Sequence, residues 1–329
     1  MEERPLRICA YEDRAEAMDS LILMAESLCA VDRDISLHLT VPDAPEKVRA
    51  WARRWPEVVL STERPKGVTG WDVKPWLLLK HLDEGVPSVL WLDDDIIVTR
   101  PVSKIVREFP PDALIFAEEW GHWTVPVSHL WDMPPARPVP LFNNCFIHVT
   151  PSHRRLMERW LEMTRDPRYR EAQALPYAQR PQQAKHDGWL LIALLESEEF
   201  GQMPYECIRS GRHIAQCAGS SSYKPENRLL DLFRGLPPLI HGLGRKPWEV
   251  RREQGIQRFL LDFATDVSPY VLAARKVART MNMSLDWLEP RTQLGALSRG
   301  LTGGHPGMTG LPLASVHAVH IGIQRAMGG

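Results

Sequence analysis

Three consecutive carboxylates, Asp93, Asp94 and Asp95, interrupt an apolar stretch that runs from Ser88 to Leu92 and resumes at Ile96 to Val98. Apolar runs of that kind belong to strands buried on both faces. An unpaired charge in such surroundings costs several kcal/mol to desolvate, and neighbouring like charges repel. A positive partner is therefore expected, and oxygen ligands at the carboxyl end of a strand suit Mg2+ or Mn2+. Side chains alternate along an extended chain, which sends Asp93 and Asp95 to one side and Asp94 to the other. Two acids then share one ion while the third makes a separate contact. The plainer alternative is a strand that ends at Asp93 with its acids in a solvated turn; the immediate return of apolar residues argues against it.

The elements that must position these acids read as alternating strands and helices. Leu6 to Ala10 has strand character, Ala15 to Ala30 carries apolar residues at helical spacing, and Ile35 to Val41 alternates, the order of a βαβ unit. The pattern repeats with a helix from Glu46 to Trp55, a strand from Glu57 to Leu60 and a helix from Lys74 to Leu82. Such alternation predicts an α/β fold: a Rossmann-like, mostly parallel central sheet flanked by helices, with ligands at the carboxyl ends of its strands. Pro110 to Pro140 is rich in Pro and Trp and reads as irregular; Trp120, Trp123 and Trp131 there offer apolar ring faces suited to the wall or lid of a binding site. Beyond it lie a strand from Leu141 to Val149, a helix from Ser152 to Thr164 and a polar, loop-like stretch from Arg165 to Lys185. A helix from His186 to Glu196, a strand from Pro237 to His241 and a helix from Tyr270 to Thr280 follow. Gly-rich sequence from Gly300 to Gly310 then leads to a last helix from Leu313 to Met327.

Composition narrows the function classes. A chain of 329 residues, 44% hydrophobic and 25% charged, is globular in character and long enough for one large domain with an appendage. A formal net charge of -1 excludes the broad cationic field that nucleic-acid binding needs. No stretch supplies the roughly 18 uninterrupted apolar residues of a spanning helix, and the charged start from Met1 to Arg7 reads as no secretion signal. Five scattered cysteines, Cys9, Cys29, Cys145, Cys207 and Cys217, form no CxxC pair, so a reducing, cytoplasmic setting is expected.

The segment Trp91-Leu-Asp-Asp-Asp-Ile-Ile-Val98 resembles the DxD signature of GT-A glycosyltransferases, in the YLDxDxxV form of glycosyltransferase family eight. A second segment, Ile240-His-Gly-Leu-Gly-Arg-Lys-Pro-Trp248, is similar to that family's HxxGxxKPW motif, with one residue rather than two between Gly244 and Lys246. The resemblance implies a GT-A fold over residues 1–262, followed by a helical, Gly-rich extension over residues 263–329. It further implies that Asp93, Asp95 and His241 ligate Mn2+ or Mg2+, with Asp94 beside the donor. Gly244 and Lys246 approach the phosphates of a nucleotide-sugar, a UDP-sugar being the expected donor. Lys74, in Gly70-Trp-Asp-Val-Lys-Pro-Trp76, matches the position of a basic donor-binding residue; its plain reading is a lysine at a helix start next to Pro75. Tyr11, Glu12 and Asp13, just after the first strand, fall where the base and ribose are held, though acids there also serve as helix caps.

Asn143 and Asn144 fall at the family's Asn-x-Gly element near the donor sugar, with Cys145 in place of a small residue. Asp187, in His186-Asp-Gly-Trp189, resembles the family's DQD element, with Gly188 standing where the glutamine is expected. Asn144 and Asp187 are thus the expected catalytic pair, and the amide can both donate to and accept from sugar hydroxyls. The implied reaction is hexosyl transfer to a hydroxyl acceptor, with retention at the anomeric carbon. Two other classes remain open: a sugar-phosphate nucleotidyltransferase, against which the absence of glycine from Leu6 to Ala17 argues, and a non-catalytic nucleotide-sugar binder. Val316, Val319, Ile323 and Met327 recur at helical spacing in a tail without acids after Pro290, a stripe suited to peripheral contact with a membrane or a partner.

Overall fold

A computed structural model describes residues 6–119, 126–217, 223–249, 253–316 and 318–319. In chain order the first elements are β1 (Leu6–Tyr11), α1 (Met18–Val31), β2 (Ile35–Thr40), α2 (Glu46–Ala52), β3 (Val58–Ser61) and α3 (Val73–Asp83). Next come β4 (Val89–Leu92), β5 (Ile96–Val98), α4 (Val102–Val106), β6 (Leu114–Glu118) and β7 (Phe142–Val149), then α5 (Arg154–Met163), α6 (Pro167–Gln173) and α7 (Gly188–Glu196). The remainder contains β8 (Tyr205–Ile208), β9 (Ile214–Gln216), α8 (Pro225–Arg234), β10 (Leu239–His241), α9 (Gly255–Asp266), α10 (Pro269–Thr280), α11 (Gln293–Leu301) and α12 (Pro306–Thr309). The expected beginning of an extension at residue 263 falls inside α9. No described helix is long and apolar enough to cross a membrane.

The chain forms two compact units. The first takes Met1–Asp13, Asp34–Asp93 and Ser103–Ile208; the second takes Arg14–Arg33, Asp94–Val102 and Arg209–Gly329. The first unit is a mixed α/β layer built on a seven-stranded sheet of order β3-β2-β1-β4-β7-β6-β8, flanked by helices. Strands β3, β2, β1 and β4 run parallel, as the βα alternation requires, while β7 is antiparallel to both β4 and β6. All four residues of β4 are buried. The apolar faces of α3, α5 and α7 join the same core, in which Trp160, Phe116 and Leu190 are completely enclosed. Helix α5 shows the cause plainly: Leu156, Met157, Trp160 and Met163 recur at three- and four-residue spacing and are its buried positions.

The second unit holds a three-stranded sheet of order β5-β10-β9, in which β10 runs antiparallel to β5 and parallel to β9. Helices α1 and α10 pack with this sheet around Leu23, Ile97, Ile240 and Tyr270.

Two stretches expected to be irregular contain regular structure: β6 lies within Pro110 to Pro140, and α6 within Arg165 to Lys185. Pro167 at the first helical position and Asp166, whose side chain accepts from the Arg168 backbone, start α6. Trp131 is a core residue at 6% exposure, packed by the Tyr169 ring, not a wall for a sugar. Trp120 and Trp123 lie outside the described residues, as do Ile323 and Met327; Val316 and Val319 are exposed.

Candidate functional site

The aspartates occupy a turn at which the chain leaves one sheet and enters another. Strand β4 ends at Leu92, the Asp93 backbone N–H still donates to the Cys145 carbonyl at 2.9 Å, and β5 begins at Ile96. The acids thus sit in a turn rather than an extended strand, while Asp93 and Asp95 with His241 still make up a candidate metal-binding group. Solvation does not follow, since Asp94 and Asp95 are 9% and 3% exposed. The sequence argument expected a positive partner for the buried acids, and the protein supplies one to each.

In the first unit Asp93 Oδ1 accepts from the Trp91 indole at 2.6 Å and lies 3.1 Å from Lys74 Nζ. Lys74 sits in the first turn of α3, buried at 4% exposure, and also donates to the Asn144 carbonyl at 3.1 Å. Asn144, on β7, donates through Nδ2 to Asp187 Oδ2 at 2.9 Å. Asp187 stands at the start of α7, 1% exposed, and its own carbonyl accepts from the Trp160 indole at 3.2 Å. Burial pushes the Asp187 carboxyl up to about 7; Lys74 and the Asn144 amide pull it back, while Asp72 and Asp93 push further. Burial would depress Lys74, but Asp93 and Asp187 outweigh it and hold the ammonium above its usual value. Burial, with Lys74 and Lys185 beyond it, lowers His186 to about 4, so this ring is neutral.

Four expected site residues, Lys74, Asp93, Asn144 and Asp187, therefore form one hydrogen-bonded cluster. Asn143 goes elsewhere: its Nδ2 donates to Glu119 at 3.2 Å and its Oδ1 accepts from the Cys145 N–H. Gly188 is explained by the same packing, because a Cβ there would meet Asn144 Nδ2 at 3.3 Å and His186 Nδ1 at 3.1 Å. At the end of β1, Tyr11 donates to Asp13 Oδ2 at 3.1 Å, while Glu12 is 2% exposed and its backbone N–H donates to the Thr40 carbonyl.

In the second unit Asp95 and His241 face each other at the adjoining ends of β5 and β10, where Ile96 pairs with His241. His241 Nε2 stands 3.3 Å from Asp95 Oδ1. Lys246 donates to Asp95 Oδ2 and, at 2.9 Å, to the Gly242 carbonyl. The shortened spacing after Gly244 thus still delivers Lys246 onto the acid. Gly244 makes this return with φ +77, a left-handed conformation that favours glycine. Burial pushes the Asp95 carboxyl up, but Lys246 and His241 together hold it well below the usual carboxylate range, so it is ionised. Asp94 Oδ1 lies 3.6 Å from Arg14.

Three supporting residues escaped the sequence reading. Ser20 on α1 donates to the Asp94 carbonyl at 2.9 Å and meets the Tyr270 hydroxyl at 2.9 Å, which ties the turn to two helices. Gly242 donates its N–H to the Asp95 carbonyl at 2.8 Å, and a Cβ there would press on the Tyr270 ring at 3.1 Å. The Gly following His241 was the available signal for the last contact; nothing in the sequence links Ser20 to Tyr270.

Asp95 and His241 offer an oxygen and a nitrogen at hydrogen-bonding separation, and Oδ1 accepts no hydrogen bond among the described residues. This donor set fits a divalent cation.

No protein-family model matches the sequence, and no curated protein matches it. Among solved structures the chain is similar to the glycosyltransferase GlyE of Streptococcus pneumoniae, with a TM-score of 0.48 and 10% identity over 88% of this chain. It spans 66% of the length of GlyE. It is similar also to the galactosyltransferase LgtC in complex with donor and acceptor sugar analogues, at TM-score 0.49 and 16% identity over 85% of this chain and 98% of that one. Mouse xyloside xylosyltransferase 1 matches at TM-score 0.45 and 13% identity, over 73% and 98% of the two chains.

Proposed function

We propose that the protein is a metal-dependent glycosyltransferase of the GT-A type, resembling family eight, that moves a hexosyl group from a nucleotide-diphosphate sugar to a hydroxyl acceptor. UDP-sugars are the expected donors, Mn2+ the preferred ion and retention the expected outcome. The observation that carries the reading is the ionised, buried Asp95 carboxylate held between His241 and Lys246, residues separated from it by more than a hundred positions of sequence.

Asp95 Oδ1 and His241 Nε2 would hold the ion, with Asp93 as a third ligand. Asp93 is two residues from Asp95, so their Cα atoms lie within about 7 Å whatever the rest of the chain does. A bound divalent cation would offset the negative charge that grows on the departing diphosphate. Lys246 carries the ammonium that would meet a phosphate oxygen once it leaves Asp95, and the Gly244 backbone, open on its Cβ side, gives close approach. On the sugar side, half-buried Asn144 is the group suited to touch a hydroxyl. Asp187, at 1% exposure, acts as a positioning residue that fixes the Asn144 amide, and Lys74 holds the Asn144 carbonyl. Tyr11, Asp13 and Asp94 are the remaining candidates for contact with the nucleotide.

The test is calorimetry and hydrolysis of a UDP-sugar panel with Mn2+ or Mg2+, comparing the wild type with Asp95→Asn and His241→Gln. Each variant is expected to weaken Mn2+ binding at least about tenfold and to reduce hydrolysis in proportion, with Mn2+ bound more tightly than Mg2+ by the wild type. Unchanged ion affinity and turnover in both variants would overturn the proposal. Release of pyrophosphate instead of free sugar would favour the nucleotidyltransferase reading, and NMR of the product anomer decides retention.

A further inference from the structure

The second unit contains a cavity of about 710 Å³ that plays no part in the function proposed above. Its walls come from α10, α11, the segments on either side of α11 and Pro306 at the start of α12, and they carry four cations: Arg275, Lys276, Arg279 and Arg299. Among the described residues no carboxylate lines it. A volume of this size lies within the range of small-molecule sites, roughly 300–1,000 Å³.

The charges around it are not balanced. Glu289 pairs with Arg275 at 2.8 Å, but it is largely exposed. Asp266 Oδ1 lies 3.8 Å from Arg299 Nη2, yet that carboxylate already accepts from the Arg291 and Thr292 backbone N–H groups and from the Thr292 hydroxyl. Lys276 and Arg279 form no ion pair among the described residues and are exposed. Two carboxylates thus stand against four cations, in a place where like charges repel.

Arg299 gives the independent pointer. It is 6% exposed, and its Nε and Nη1 donate to the carbonyls of Asp266 and Leu288 at 2.8 Å each. These bonds lock the guanidinium plane, while Nη2 donates to nothing among the described residues. The Nε of Arg275 is likewise a buried donor without an acceptor among them. Leaving a buried charged donor unsatisfied is costly, and an acceptor entering the cavity would remove that cost. Gly300, Gly303 and Gly304 form part of the wall, and a Cβ on any of them would meet nothing within 4 Å, so these positions leave the wall open.

We propose that this cavity is a binding site for a phosphate or polyphosphate group, held by Arg299 and Arg275 from within and by Lys276 and Arg279 at the rim. Planar guanidinium forks match phosphate oxygens two at a time, and a lysine adds a point charge. The phosphate could belong to a free metabolite or to a lipid headgroup; the recognition chemistry is the same.

The experiment titrates inorganic pyrophosphate into the full chain by calorimetry, at low salt with EDTA present, and compares the wild type with Lys276→Gln/Arg279→Gln. Both side chains are exposed and unpaired among the described residues, so the thermal midpoint should not fall. A second arm measures cosedimentation with phosphatidylcholine vesicles containing phosphatidic acid. Pyrophosphate binding that weakens at least about tenfold in the double variant supports the site with a free phosphate ligand. Binding confined to the vesicles, and lost in the double variant, supports it with a headgroup. Lys246→Met should leave this binding intact. No binding in either arm, equal affinity in the double variant, or loss through Lys246→Met alone would overturn the assignment; the first two leave metal-dependent transfer untouched, and the third would move the pyrophosphate to the Asp95 turn, in support of the proposed function.

Discussion

Replacing Lys74 with methionine removes the ammonium that serves Asp93, Asp187 and the Asn144 carbonyl together. Methionine nearly conserves the volume, so the effect is electrostatic. The lysine side chain is 5% exposed, and removal of one partner from a buried charge pair costs about 3–5 kcal/mol. Asp93, with 24% of its side chain exposed, keeps some hydration; Asp187 keeps almost none. The larger share of the penalty should therefore run through Asp187, and it should depend on that group being ionised. With burial already placing the Asp187 carboxyl at about 7, loss of Lys74 moves it higher still.

These facts fix a double-mutant cycle. At pH 8.5, Asp187→Asn should relieve the Lys74→Met background by more than it relieves the wild type, with a coupling of about 1–3 kcal/mol between the two changes. At pH 5 Asp187 is protonated in both backgrounds, and the coupling should fall to under about 0.5 kcal/mol. Urea denaturation of the four proteins at the two pH values reads both quantities. Additive effects at pH 8.5, or a coupling that is the same at pH 5, would show that Lys74 and Asp187 do not share a buried charge balance.

Asp187 also predicts a pH dependence of stability by itself. Its folded pKa, about 7, lies above the ordinary carboxylate value of 3.8, so its contribution is fully present below pH 3.8 and is lost as pH rises toward and through 7. The displacement corresponds to roughly 4 kcal/mol, and the wild type should lose that much relative to Asp187→Asn between pH 4 and 8 in urea titrations; parallel stability curves for the two proteins would refute it. Lys246→Met is expected to act in opposite directions on two ligands: with the competing ammonium removed from Asp95, Mn2+ alone should bind several-fold more tightly, while affinity for UDP should fall about tenfold. Weakened binding of both, measured by calorimetry, would mean that Lys246 does not compete with the ion.

Much of the first unit is legible in the chain because its periodicities are unambiguous. The strands β1, β2 and β4 carry apolar residues at nearly every buried position, and α3 begins at Val73, one residue from where its pattern starts. What escaped has a physical reason in each case. Strands β8 and β9 are four and three residues long, too short to establish a period of two, and β8 is only half-buried. Helix α8 carries signals that could have been used, Pro225 at its start and Gly235 at φ +75 just past its end, but its apolar residues are largely exposed and blur the stripe. The division into two units is invisible in sequence because α1, between two strands of the first unit, belongs with the second. In the candidate site, the acids and His241 were readable from motif and order, whereas the Lys74, Asn144 and Asp187 cluster could be named but not assembled. Its hydrogen bonds join residues 43 and 70 positions apart, a separation on which local patterning is silent.

The aspartate turn shows why a correct expectation can rest on an incomplete premise. Three acids in an apolar run demanded positive charge, and a metal ion was the economical source. Side chains of the protein meet that demand in part: Lys74 faces Asp93, Arg14 faces Asp94, and Lys246 with His241 faces Asp95. Electrostatic need alone therefore does not decide for an ion at this turn. What favours one is chemical type and access. A turn built only for stability would gain by enclosing Lys246, yet its side chain remains 18% exposed while Asp95 is 4% exposed. Likewise Asp95 Oδ1 has a nitrogen ligand atom only 3.3 Å away. A lysine at the rim can move outward to a phosphate, and the carboxylate it leaves behind, with an imidazole already beside it, then needs another cation. Donor and metal would in that case bind cooperatively through Lys246, each favouring the position of the side chain that the other requires.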